Sequence, residues 1–162
     1  IQALFAPVVC EVHGWEAGYN QVQKALELDP TNYFANNFLD QFAISTGNYD
    51  HAMEGLMTFL PFRDEIKEEI RGIYTKEGMY EAYDAILAQL ELHSLVGPGD
   101  IAMRFALVNR HDKALEYIES AYKYHDPNLP YLTTKIYCTE PLFSNPRFIA
   151  VVEKMGLTIP DE

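Results

Sequence analysis

A glycine turn followed by polar residues and a small residue, Gly47-Asn48-Tyr49-Asp50-His51-Ala52, recurs in altered form three more times along the chain. The related stretches begin at Gly14, Gly78 and Asn109. The residues aligned by these turns lie 34, 31 and 31 residues apart, and they are Gly18, Ala52, Tyr83 and Ala114. A period of this size fits a unit of two helices of about 12–15 residues joined by turns.

Each unit is predicted to contain two helices around its turn. Gly47 and Gly78 can adopt the left-handed conformation that ends a helix, and Asn109 is the next best residue for that position. Apolar residues then recur at helical spacing. The first helices of the units are predicted at 1–12, 33–46, 64–76 and 98–108. The second helices are predicted at 15–29, 48–60, 79–93 and 112–124.

This pattern resembles the tetratricopeptide repeat, most clearly at Lys24-Ala25-Leu26-Glu27-Leu28-Asp29-Pro30. Tyr83 stands where the family prefers alanine, and the third and fourth units are shorter than the first two. The resemblance implies an all-α fold, a right-handed superhelical α-solenoid of about four helix–turn–helix repeats with C-terminal capping helices. The repeats are predicted over 1–127, at about 1–31, 32–62, 63–94 and 95–127, and the cap over 128–162 of the same continuous domain.

The segment after the repeats is similar to the end segment of bacterial tetratricopeptide regions attached to transcriptional regulators, cyclases and signalling kinases. The similarity lies in Asp126-Pro127-Asn128-Leu129-Pro130-Tyr131-Leu132, in Pro141 to Phe148, and in Met155-Gly156-Leu157. It implies a bacterial source. In physical terms the last repeat of a solenoid needs an apolar cap. Ser144 or Asn145 is expected to cap a final helix that begins at Pro146.

Composition excludes some classes of partner. The chain has 162 residues, 48% of them hydrophobic, and a net charge of −12 from 12 Lys plus Arg and 24 Asp plus Glu. Binding to nucleic acid or to an anionic membrane needs clustered basic residues, so neither is expected. The start at Ile1 lacks the basic stretch of a signal peptide, so we expect a cytoplasmic piece of a longer polypeptide. Cys10 and Cys138 are expected to be buried free thiols.

No stretch of the sequence predicts catalysis, a cofactor or a metal site. The five histidines lack the spacing of metal ligands. Glu65, Glu68 and Glu69 are better explained as solvated acids at a helix N-terminus than as acid–base catalysts. Gly97-Pro98-Gly99-Asp100 lacks the lysine of a phosphate-binding loop, and we expect a turn with Asp100 near a helix start.

A partner-binding groove is implied by the resemblance, because ligands of this family usually bind to the concave face formed by the first helices. The groove positions that carry over are Asn37, Gln41, Ile44, Ser45, Glu65, Glu68, Thr75 and Met103. They suit a neutral or basic protein or peptide, or an attached domain of the same parent chain. The leading hypothesis is a non-catalytic scaffold for protein–protein interaction. The alternative is a sensory or regulatory domain of a bacterial transcriptional regulator or signalling enzyme.

Overall fold

The computed structural model describes residues 2–134 and 139–159. Within these ranges the chain is all-helical, without a strand. The α-helices are α1 (Gln2–His13), α2 (Trp15–Leu28), α3 (Tyr33–Ser45), α4 (Tyr49–Phe59), α5 (Asp64–Glu77), α6 (Met79–Leu92), α7 (Pro98–Leu107), α8 (His111–Lys123) and α9 (Pro146–Lys154). Short 3-10 helices lie at Leu129–Thr133 and Glu140–Leu142.

The helix boundaries predicted from the sequence are confirmed. From α1 to α8, each observed end lies within one residue of the predicted one. Asn145 rather than Ser144 caps α9, because its side-chain oxygen accepts a hydrogen bond from the main-chain N–H of Arg147. Pro146 is the first residue of that helix, where its missing N–H costs little.

The chain divides into two compact units, residues 1–82 and 83–162, and the division falls inside α6. In the first unit α1 packs against α2, and α3 packs against α4. Further contacts join α2 to α3 and α1 to α3. Glycine allows the closest approach within each pair, because a Cβ on Gly18 would lie 3.0 Å from the Cys10 Sγ and one on Gly55 would collide with the Asp40 carboxylate. Cys10 is buried, as expected, whereas Cys138 lies outside the described residues.

The second unit is built on the pair α7 and α8, with α9 packed on α8. The 3-10 helix at Leu129–Thr133 contacts both α7 and α8. Thr139, the first residue of the second described range, is buried. Its hydroxyl donates to the carbonyl of Leu132 over 2.8 Å and so connects that range to the 3-10 helix. The tail buries the apolar side chains of Leu129, Leu132, Leu142, Phe148, Val151 and Val152. Tyr131 of the same tail is exposed, and Ile136 lies outside the described residues.

Two kinds of turn link the helices within pairs. Gly47 and Asn109, which follow α3 and α7, have φ angles of 77° and 59°. At the first turn the N–H of Asn48 donates to the carbonyl of Ala43 and that of Gly47 to Ile44, and the same pattern recurs around Asn109. This Schellman arrangement satisfies carbonyls that the end of a helix leaves unpaired. The predicted left-handed conformation is thereby confirmed for Gly47 and Asn109, whereas Gly78 combines a positive φ with an extended ψ.

A single glycine makes the other kind of turn. Gly14 joins α1 to α2 and Gly78 joins α5 to α6, with φ of 86° and 100° and ψ close to 180°. This backbone region is open only to glycine. The chain can therefore end one helix and start the next with one residue between them.

Substitution of glycine by alanine is expected to have opposite effects on stability at Gly47 and at Gly72. Replacing Gly47, at positive φ, by alanine is expected to destabilise the protein by about 1 kcal/mol, because an L-residue is strained there. Replacing Gly72, inside α5 with open space around its Cα, is expected to stabilise it by about 0.5–1 kcal/mol. Urea denaturation of both variants checks the prediction, and a change of the same sign in both would contradict it.

Candidate functional site

Among the helices in which the burial of every residue is described, α5 buries the fewest residues. It has 14 residues, and Ile70 alone is buried. Glu65, Glu68 and Thr75 are exposed. These three residues and Gly72 follow the i, i+3, i+7 spacing of one helical face. Three of the predicted groove residues therefore form a continuous, largely acidic surface on α5.

Gly72 lies in the middle of this surface. A Cβ added there would meet nothing within 4 Å, so no contact with the part of the chain that the structure describes requires glycine. Glycine inside a helix costs about 0.5–1 kcal/mol relative to alanine. Its presence leaves a gap between Glu68 and Thr75 where another backbone can approach closely. Arg71 flanks the gap and forms an ion pair with Glu68 over 2.6 Å, with both side chains well exposed.

The other predicted groove residues are less accessible. On α3, Gln41 and Ile44 are buried, Asn37 is half-buried, and Ser45 is exposed with its hydroxyl donating to the carbonyl of Phe42. On α7, Met103 is buried, together with seven more of the ten residues of that helix. The surface offered to a ligand without displacing neighbours therefore comes chiefly from α5 and the end of α3.

Half-buried Tyr49 and Tyr74 and exposed Tyr80 form hydrogen bonds between helices of the first unit, which the sequence did not predict. The Tyr74 hydroxyl on α5 donates to the Asp50 carboxylate at the start of α4, which raises the pKa of Tyr74. The Tyr49 and Tyr80 hydroxyls lie 3.2 Å apart, and this hydrogen bond is the main cause of the raised pKa of Tyr49. These contacts tie α4 to α5 and to the start of α6.

In the second unit, a side chain of the protein fills the Gly97-Pro98-Gly99 loop. The buried Asp126 carboxylate accepts a hydrogen bond from the main-chain N–H of Gly99, at the start of α7, over 3.0 Å. Its other oxygen accepts from the N–H of Asn128 over 2.8 Å. A Cβ on either Gly97 or Gly99 would collide with this carboxylate. The positive end of α7 is thus neutralised by a group 27 residues away.

Removing this carboxylate is expected to weaken the fold. Replacing Asp126 by alanine leaves two main-chain N–H groups without an acceptor, and we expect a loss of about 2–4 kcal/mol in unfolding free energy. Replacement by asparagine keeps one acceptor oxygen and should cost about half as much. Asp112→Ala, at an exposed position in the first turn of α8, is the control and should cost under about 1 kcal/mol. Equal losses for Asp126→Ala and Asp112→Ala in chemical denaturation would contradict the assignment.

A buried arginine lies on α7 in an otherwise apolar run. Arg104 Nε donates to the Asp100 carboxylate over 3.2 Å, and its Nη1 donates to the Tyr83 hydroxyl over 3.4 Å. Asp100 is in the first turn of the helix, as the sequence predicted. Arg104 is the only charged residue of Ile101–Leu107, and Asp100 lies four residues before it. This spacing is the sequence signal that could have predicted the pair.

A groove of about 500 Å³ lies between α8 and α9, also unpredicted. Its lining residues are Glu119, Tyr122, Pro146, Arg147, Ala150, Val151 and Lys154. Arg147 donates to both carboxylate oxygens of Glu119 over 2.8 and 2.9 Å. The bidentate pair lowers the pKa of Glu119 and raises that of Arg147. Since each shift favours the charged form, the pair is an ion-pair link between α8 and α9.

The lowered pKa of Glu119 gives a pH dependence. Its contribution to stability is present above the ordinary glutamate pKa and is lost as the pH falls through the lowered value. Arg147→Gln should therefore reduce stability only slightly at neutral pH, because the pair is half-exposed and screened by solvent. The difference from wild type should vanish in acid, and the NMR-detected Glu119 pKa should rise in the variant. Lys113→Gln, which removes an equal charge from α8, is the control and should leave the Glu119 pKa unchanged.

The aromatic residues of α8 serve different roles. Tyr117 stacks on Phe105 of α7 at 5.4 Å between ring centroids, and burial raises its pKa to about 12. Tyr122 lines the groove with the Lys154 ammonium 5.8 Å from its ring, whereas Tyr124 is exposed. They do not present one continuous aromatic surface.

Further properties bear on the class of site. Among the described residues, no three His, Cys, Asp or Glu side chains are grouped as a metal ion would require. None of the described helices combines the length and apolar character needed to cross a bilayer. Comparison of the chain with protein-family models, with curated proteins and with solved structures gives no match. The helix pattern and the surface geometry are therefore the basis for a functional proposal.

Proposed function

We propose that this protein is a non-catalytic interaction scaffold of the tetratricopeptide type. It binds a neutral or basic extended segment of a partner protein, or of an attached domain, on the surface formed by Glu65, Glu68, Gly72 and Thr75 of α5. The right-handed solenoid arrangement of the helical pairs, the bacterial source and the regulatory setting of the parent chain belong to the same proposal. The regular spacing of the helical pairs supports the solenoid arrangement, whereas the bacterial source and the regulatory setting rest on the resemblance of the C-terminal segment.

The observation that carries the proposal is the exposure of α5. A helix in a folded protein normally buries an apolar stripe, whereas α5 buries one residue and exposes most of its acidic side chains. Five of its residues are acidic and three are basic. A basic segment would meet complementary charge there, and complementary charge contributes mainly specificity and association rate.

Gly72 adds a steric argument. The helix carries a glycine where alanine would be better for stability, and none of the described residues occupies the space a side chain would take. Close approach of a ligand backbone explains this choice. The segment that binds is accordingly extended, with its backbone over Gly72 and basic or neutral side chains toward Glu65 and Glu68.

The test uses fluorescent peptides of matched length with net positive, zero or negative charge, titrated by anisotropy. The positive peptide should bind best, and Glu65→Lys with Glu68→Lys should weaken it about tenfold, since each charge contact is worth up to about 1 kcal/mol at a surface. The matched control is Glu27→Lys with Glu54→Lys, which makes the same charge change at exposed positions of α2 and α4.

Gly72→Ala is a second test, because it changes the shape of the surface without changing its charge. It should weaken peptide binding while raising the stability of the protein. Equal effects of the two double variants, or undiminished binding by Gly72→Ala, would place the peptide elsewhere and overturn the proposal.

A further inference from the structure

The first helix exposes an apolar face. Phe5, Val8 and Val12 of α1 are 55%, 57% and 67% exposed. Their spacing of three and four residues puts them on one side of the helix. The opposite side carries Ala6 and Cys10, which are buried against α2. α1 therefore has one face that packs within its pair and one that has no cover among the described residues.

One position of this face is covered in the second repeat. The offset of 34 residues that aligns Gly18 with Ala52 in the sequence makes Phe42 of α3 the counterpart of Val8. Phe42 packs on Tyr19 of α2, the helix before it, with ring centroids 4.8 Å apart. At this position α3 therefore contacts the preceding helix.

A similar contact joins α7 to α6, the helix before it. Arg104 lies five residues before the left-handed Asn109, as Phe42 lies five residues before the left-handed Gly47. Its guanidinium binds the hydroxyl of Tyr83, on the helix that precedes α7. In both places the residue equivalent to Val8 contacts an aromatic side chain of the preceding helix. The internal interface therefore defines what fits the exposed face of α1.

We propose that the Phe5, Val8 and Val12 face of α1 is a docking surface for the second helix of another helical hairpin, packed as α2 packs on α3. The partner helix is amphipathic and presents an aromatic side chain at the position of Tyr19. The surface shares no residue with the acidic α5 surface. Three side chains bury far less than the roughly 800 Å² per partner of a standard interface, so a hairpin tethered to this chain fits better than a free second copy.

The test tethers such a hairpin to the full chain. Residues 1–32 are duplicated directly ahead of Ile1, so that the copied α2 and its natural linker precede α1 as they precede α3. The tether supplies the effective concentration that a separate peptide would lack. The expected result is a Tm several degrees above that of the single chain and about tenfold slower amide exchange in the α1 that follows the duplicate.

Variants show whether the gain comes from this face. Val8→Asp in the full-length part should remove the gain, yet change the Tm of the single chain little, because Val8 is exposed there. Tyr19→Ala in the duplicated part should also reduce it. Leu92→Asp, at another exposed apolar position, is the control and should leave the gain intact.

Three results would overturn the proposal. One is a tandem chain whose Tm and α1 exchange match those of the single chain. Another is loss of the gain with Leu92→Asp as readily as with Val8→Asp. The third is a single chain that light scattering shows to be a dimer and whose α1 amides are already protected, because a second copy would then be the occupant.

Discussion

The fold depends on ending a helix and reversing the chain within a few residues while leaving no buried carbonyl without a donor. A residue at positive φ achieves this after α3, α6, α7, α8 and α9, with two main-chain hydrogen bonds back to the last turn in each case. For a non-glycine residue the conformation costs roughly 1–2 kcal/mol. Two hydrogen bonds of about 1 kcal/mol each offset that cost. Close pairing of α3 with α4 and of α7 with α8 follows from these turns.

Local patterns predicted the helices well because the signals are themselves local. Gly47 and Asn109 mark turns by conformational preference, and Asn145 marks a helix start by a side chain that reaches two residues ahead. The same rule did not single out Ser94 or His125, which also adopt positive φ. Serine and histidine have no strong preference for that region, so their conformation is imposed by the chain reversal. Sequence spacing locates such turns better than residue type does.

Interactions between distant residues could not be predicted in this way. Asp126 meets Gly99, and Glu119 meets Arg147, across 27 and 28 residues. Helices that are equivalent in the repeat pattern also differ in how many of their residues are buried. α5 buries Ile70 alone, whereas α7 buries eight of its ten residues. A period identifies which residues share a face, but the covering of that face depends on tertiary packing. The acidic half of the predicted surface is therefore accessible and Met103 is not.

The filled N-terminus of α7 has a consequence for how this sequence can vary. The Asp126 carboxylate occupies the volume in which side chains at positions 97 and 99 would begin. A residue larger than glycine at either position therefore requires a shorter residue at 126, and a shorter residue at 126 removes the acceptor that α7 needs. The three positions are therefore physically coupled, and a change at any one of them alone is expected to be harmful. Divergent versions of this domain should keep both glycines and the aspartate together, or exchange all three for a different cap.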